Sequence, residues 1–153
     1  MKLKIGIFQY EMKDESPDDK INRLENHLKK NTKLDLVICP ELFISWYGSL
    51  KNIKKYAEGY NGNYAKKISA LAKKSCAAIV YGYPETENNH LYNSAQLFDN
   101  EGQSIANHRK KLLPPTADES KIFMPGTEST ILSIKGIKSA IVICYELEFP
   151  ELV

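Results

Sequence analysis

From Leu3 to Tyr10 the chain alternates apolar and polar positions at the two-residue period of a strand. Ile5, Gly6 and Ile7 are of the kind found at a buried central position. Ser16-Pro17-Asp18-Asp19 then reads as a helix start: a serine cap, a proline in the first turn, and acids beside the positive helix end. Ile21, Leu24 and Leu28 follow at three- and four-residue steps, one apolar stripe on an otherwise lysine-rich helix. Leu34 to Cys39 predicts a second short strand, ended by Pro40. The stretch beyond it has no sustained period and reads as a mixed loop. A second helix is predicted from Asn63 or nearby through Ser75, with Ile68, Leu71 and Ala72 inward, and Ala77 to Tyr83 predicts a third strand.

After Pro84 the rhythm changes to strands. Asn93 to Phe98 and Gln103 to His108 flank Asp99-Asn100-Glu101-Gly102, a strong hairpin turn signal. Lys110 to Thr127 holds three prolines and no period, which predicts a long ordered loop. Thr130 to Ile134 and Ser139 to Ile143 read as a strand pair around Lys135-Gly136. Phe149 to Val153 reads as the first turn of a helix opened by Pro150. The order β-α-β-α-β followed mostly by strands implies a layered α/β fold in one domain, residues 1–153, with no repeat, low-complexity tract or linker.

Charge and composition narrow the function classes. The 21 basic and 19 acidic residues leave a net charge of +2, too little for a protein that grips phosphate backbones. Only Arg23 and Arg109 are arginines, the side chain favoured for reading bases, so no nucleic-acid partner is expected. No run approaches the roughly 18 apolar residues that cross a bilayer, and the N-terminus alternates where a signal peptide would be continuously apolar. No membrane partner is expected. Cys39, Cys76 and Cys144 are odd in number, widely spaced and form no C-x-x-C pair. This argues against a disulfide scaffold or zinc knuckle and fits a reducing, cytoplasmic setting.

Functional groups of α/β folds gather just past strand ends. Glu41 follows the second strand; among Pro40, Leu42 and Phe43 it is expected to be semi-buried, where its pKa would rise towards that of a general base. Alone it would be an ordinary loop acid. Lys110 follows the strand ending at His108-Arg109. The basic run reads either as a solvated turn or as the source of one inward lysine that faces a developing oxyanion. Cys144 ends an apolar strand and is followed at once by polar and acidic residues. That places its thiol at the sheet rim and a helix start, where a thiol pKa is expected to fall. Cys39 and Cys76 lack that setting and read as packing residues.

Taken in order, Pro40-Glu41-Leu42-Phe43, His108-Arg109-Lys110 with Pro115 beyond, and Ile143-Cys144-Tyr145-Glu146-Leu147-Glu148-Phe149-Pro150-Glu151 resemble the three motifs of the nitrilase, or carbon–nitrogen hydrolase, superfamily. Tyr81 to Glu85, Tyr92 to Ala95 and Phe123 to Gly126 are also similar to that family. The resemblance implies an α-β-β-α sandwich of which this chain carries the N-terminal part, ending just past the cysteine motif. It implies catalysis by Glu41, Lys110 and Cys144, with Glu119 as a supporting acid and the Tyr145 N–H as an oxyanion donor. Hydrolysis of a small-molecule amide, carbamoyl or nitrile substrate would pass through a thioester, with no metal and no cofactor. Such domains often dimerise, so a homo-oligomer is implied for the full domain. Two other readings are compatible with the same residues: a truncated, non-catalytic half-domain that needs a partner chain or is inactive, and acyl transfer through the same thioester. Glu146 in place of a more common aspartate, an extra bulky residue in Ser45-Trp46-Tyr47-Gly48 of the first motif's loop, and Lys111-Leu112-Leu113 in place of a frequent x-His-Leu depart from the family wording.

Overall fold

The computed structural model describes residues 2–152 apart from 12, 14, 32, 116 and 117. Helix α1 (Pro17–Lys30) starts as its sequence predicts, with the Ser16 side chain accepting the Asp19 N–H and Asp18 and Asp19 in the first turn. Helix α3 (Asn63–Ser75) buries Ala65, Ile68, Leu71 and Ala72. Strands β1 (Ile5–Ile7), β2 (Leu36–Ile38) and β3 (Ala78–Glu87) run parallel, and β4 (His90–Phe98) and β5 (Ser104–Arg109) continue the same sheet antiparallel, in the order β1-β2-β3-β4-β5. A separate two-stranded sheet pairs β6 (Thr130–Ile134) with β7 (Ile137–Ile141).

The period-2 pattern divides the large sheet's side chains between two cores. Val37, Ile79, Tyr81 and Tyr83 point to one face and pack with Ile21, Leu24, Leu28, Ile68 and Leu71 of α1 and α3. Leu36, Ala78 and Leu97 point to the other, where Leu132, Ile134 and Ile141 of the β6–β7 hairpin cover them. The described layers are thus helices, five-stranded sheet and two-stranded sheet. The second helical layer of the expected sandwich is not among the described residues.

Several boundaries differ from expectation, each for a local reason. The stretch read as a mixed loop contains helix α2 (Leu50–Tyr56), capped by Ser49; its lone buried residue, Ile53, gives no apolar stripe to detect. Strand β3 runs on through Pro84 to Glu87, although β2 pairs only as far as Val80. Beyond Val80 the edge carries a bridge to Glu58, whose N–H donates to the Pro84 carbonyl at 3.1 Å, a contact that needs no N–H from the proline. A tight turn at Asn88 and Asn89, both at positive φ, then starts β4 at His90 rather than Asn93. Strand β7 ends at Ile141, two residues early, as the chain bends towards Cys144. The predicted loop from Lys110 carries a 3-10 turn, Glu119–Lys121; residues 116 and 117 of it lie outside the described residues. The predicted terminal helical turn is a 3-10 turn, Pro150–Leu152, and Val153 lies outside the described residues. Cys76, read as a packing residue, is exposed: it ends α3 in the left-handed conformation with its side chain outward.

Candidate active site

Glu41 leaves β2 in a loop that lies flat against β3. The approach is close enough that a Cβ on Gly82 would sit 2.4 Å from the Leu42 nitrogen and 2.7 Å from the Pro40 oxygen, so only glycine fits there. Lys110 follows β5, and its backbone is clamped on both sides: its N–H donates to the Asn93 carbonyl at 2.8 Å and its carbonyl accepts the Gly126 N–H at 2.8 Å. Gly126 is equally constrained, since a Cβ there would meet the Arg109 oxygen at 2.2 Å. A satellite core of Leu42, Ile53 and Phe123 lies beneath these loops and ties the Glu41 segment to the segment that carries Glu119.

The Lys110 side chain is completely buried. Its Nζ donates to Glu41 Oε1 at 2.7 Å and to Glu119 Oε1 at 2.9 Å. Burial alone would push its pKa down, but the Glu119 and Glu41 carboxylates outweigh that and hold it above the ordinary lysine value, so it stays charged. Lys111, the other lysine of the pair, turns outward to Ser129. Cys144 sits at φ 50 on the bend between β7 and a 3-10 turn, Cys144–Glu148, a backbone conformation that L residues adopt only when held there. Cys144, itself exposed, lines one cleft with Glu41, and its thiol lies in the fields of the Glu41 carboxylate, Lys110 and the Tyr145 N–H.

The expected fall in the Cys144 pKa is not found. Partial desolvation and the Glu41 charge raise it, and Lys110 and the Tyr145 N–H only partly offset them. The five-residue 3-10 turn at Cys144–Glu148 offers less dipole than the α-helix start expected there.

Two further residues join the cluster that motif wording did not single out. Asn93, buried, donates its side-chain amide to Glu41 Oε1 at 2.7 Å and more weakly to Glu119 Oε2 at 3.4 Å, while the side-chain Oδ1 has no partner among the described residues. Its place inside β4, where period 2 turns it towards the Glu41 loop, was the available signal. The Tyr47 hydroxyl donates to Glu119 Oε1 at 2.7 Å, and burial together with the Glu119 charge pushes its pKa up. It sits four residues beyond Phe43, the apolar end of the first motif, and nothing in the wording of that loop assigned it a role. The arrangement is a fixed ammonium between two carboxylates, one of which also faces a thiol: a nucleophile, a proton acceptor and a cation within one cluster. Among the described residues no three His, Cys, Asp or Glu side chains converge as a metal site would require.

Comparison with known proteins gives this cluster a context. A family model described as carbon–nitrogen hydrolase matches residues 4–153. A hydrolase encoded in the pqqF 5′ region of Pseudomonas protegens is 32% identical over 97% of this chain and 53% of its own length. The 2-oxoglutaramate amidase of Bacillus subtilis is 31% identical over 99% of this chain and 59% of its own. In structure, a CN-hydrolase superfamily protein from Xanthomonas campestris, solved with an arsenic adduct in its active site, superposes with a TM-score of 0.87 at 24% identity, over 97% of this chain and 56% of that one. The chain therefore has the fold of those proteins and spans about half the length of the curated relatives it matches.

Proposed function

The chain belongs to the carbon–nitrogen hydrolase family, and from that premise we propose that it carries the nucleophile, base and cation of an amidase-type hydrolysis of small amides. The observation that carries this reading is Lys110, fully buried and bonded at once to Glu41 and Glu119, with Cys144 lining the same cleft as Glu41. A buried lysine that needs two carboxylates to stay charged is costly as structure alone and useful where negative charge develops.

Glu41 takes the proton of Cys144, and the thiolate adds to the amide carbon. Lys110 and the Tyr145 N–H receive the oxyanion; loss of such a donor costs about 2.7–4 kcal/mol of transition-state stabilisation in comparable sites. Glu41 returns the proton to the departing ammonia or amine, leaving an acyl thioester on Cys144. A water deprotonated by Glu41 then hydrolyses the thioester and frees the acid and the thiol. The thiol's raised pKa fits this order, because proton removal by the adjacent base, rather than a resting thiolate, starts the reaction. Asn93 and Glu119 hold Glu41 and Lys110 in place. Substrates of the ω-amide class are favoured by the similarity to the 2-oxoglutaramate amidase. The test is ammonia release from a panel of small aliphatic amides and ω-amides of 2-oxo acids. Release above background that disappears in Cys144→Ala is expected; release unchanged in that variant would refute the reading.

A second reading has its own observation. An apolar cleft of about 350 Å³ runs between the two sheets and reaches Glu41 and Cys144. At its rim β1, expected to be a buried central strand, is instead the edge of the sheet and leaves Ile5 and Ile7 exposed at 49% and 70%. Apolar surface of this kind suits a covering polypeptide. On this reading the segment turns over only when another chain closes that face, and ammonia release would appear on addition of the complementary polypeptide and not before.

A further inference from the structure

Lys110 and Cys144 stand on different sheets. β5 belongs to the five-stranded sheet and β7 to the two-stranded one, and among the described residues no ladder of hydrogen bonds joins the two. Apolar packing between the sheets is non-directional and sets no register at the scale of a reacting atom. One side chain does link them at the site. Glu146, 1% exposed, accepts the N–H of Ile143, the residue just before Cys144, on Oε2 at 2.7 Å. Its Oε1 accepts the N–H of Lys111, the residue just after Lys110, also at 2.7 Å. Oε2 also faces His108 Nε2 at 2.9 Å, and the far side of that buried imidazole meets Thr130 Oγ1 at 3.2 Å. His108 sits two residues before Lys110, so the lysine is bracketed by two attachments to the same carboxylate.

We propose that Glu146, braced by His108, is a positioning residue: its carboxylate clamps the backbone before Cys144 to the backbone after Lys110 and so sets the thiol against the cation and Glu41. This rests on the reading of that cluster as an active site, and adds to it a residue that touches none of the reacting atoms. The electrostatics agree. Burial works to raise the Glu146 pKa, but His108 and the two N–H groups outweigh it and hold the carboxyl below its ordinary value, charged and fully used as an acceptor. The same clamp explains how Cys144 is kept in its left-handed conformation, since its two flanking residues have no strand to hold them.

The thiol itself reports the clamp. Cys144 is exposed to reagent yet lies in the fields of Glu41 and Lys110, and the Glu41 charge raises its pKa only while it stays there. The experiment alkylates the 153-residue chain with iodoacetamide across a pH series, with the three cysteines resolved by peptide mass spectrometry. In Glu146→Gln the Cys144 midpoint is expected to fall towards that of an ordinary thiol, and its rate at neutral pH to rise severalfold, while buried Cys39 stays protected. His108→Gln, which leaves both N–H contacts in place, should shift it the same way by less. Glu41→Gln removes the charge directly and should lower the midpoint whatever Glu146 does. If Glu41→Gln lowers the midpoint and Glu146→Gln does not, the clamp is refuted and the site stands. If Cys39 and Cys144 become reactive together, Glu146 holds the whole fold rather than the bend, and the clamp is again refuted. If neither variant moves the midpoint, Cys144 does not face Glu41, and the site reading falls with the clamp.

Discussion

Lys110, with none of its side chain exposed, lies between two carboxylates that would repel each other without it. Removing one partner of a buried ion pair typically costs about 3–5 kcal/mol, because the remaining charge has neither water nor a counter-ion. Lys110→Met should therefore lower stability by roughly that amount in urea denaturation. Adding Glu119→Gln to that variant should recover part of the loss; an additive further loss would contradict the pairing. The three residues Glu41, Lys110 and Cys144 were legible one by one as groups past strand ends, but their choice over neighbours came from the resemblance. Nothing in His108-Arg109-Lys110-Lys111 says which lysine turns in. Arg109 is drawn out to Glu85, and the clamp on Lys111's N–H sends that side chain to Ser129. The direction of the Cys144 pKa was not legible at all. It is set first by partial desolvation and then by the Glu41 carboxylate, more than 100 residues away in the chain.

The elements that carry the site are short, and their loops are held by glycines rather than by regular structure. Gly82 lets the Glu41 loop lie on β3, and Gly126 lets the chain pass behind Lys110. Gly82→Ala and Gly126→Ala put a methyl against backbone that cannot yield as a flexible side chain would. Each should lower the melting temperature, by the equivalent of about 1–3 kcal/mol for an overpacked site. Gly59→Ala, whose Cβ would meet nothing closer than 3.8 Å, is the control and should change little. If all three behave alike, the close approach is not what holds the loops. At this scale α1 and α3 were readable because an apolar stripe and caps repeat the same message. Helix α2 was not, since Ile53 alone faces inward. The start of β4 was hidden by Asn88 and Asn89, whose turn chemistry looks like loop until the pairing of Glu87 with His90 is seen.

For the whole molecule, buried charge makes stability depend on acid. Burial works against the ionised forms of Glu85 and Glu146, yet Arg109 with Ser94 and Asn107 on the one, and His108 with two N–H groups on the other, leave both carboxyls below their ordinary pKa. A carboxyl lowered in the folded state stabilises the fold fully above its unfolded pKa of about 4.3 and loses that contribution as pH falls through its folded value. The urea midpoint should therefore be steady through the weakly acidic range and drop below about pH 4, with a shallower drop in Glu85→Gln. An equal drop in that variant would show that other carboxyls govern the acid limb. The layered α/β fold was legible from the order of elements. The way its two sheets meet was not, because the residues that join them, Glu146 and His108, read as ordinary positions in a turn and a strand. The central claim, a thioester on Cys144 served by Glu41 and Lys110, is tested most directly by acid-quenching the chain with a small amide and weighing its peptides. The account predicts a gain equal to the amide's acyl group on the Cys144 peptide, labile to hydroxylamine, absent in Cys144→Ala and diminished in Lys110→Met. Ammonia release that continues in Cys144→Ala with no adduct on any peptide would contradict it.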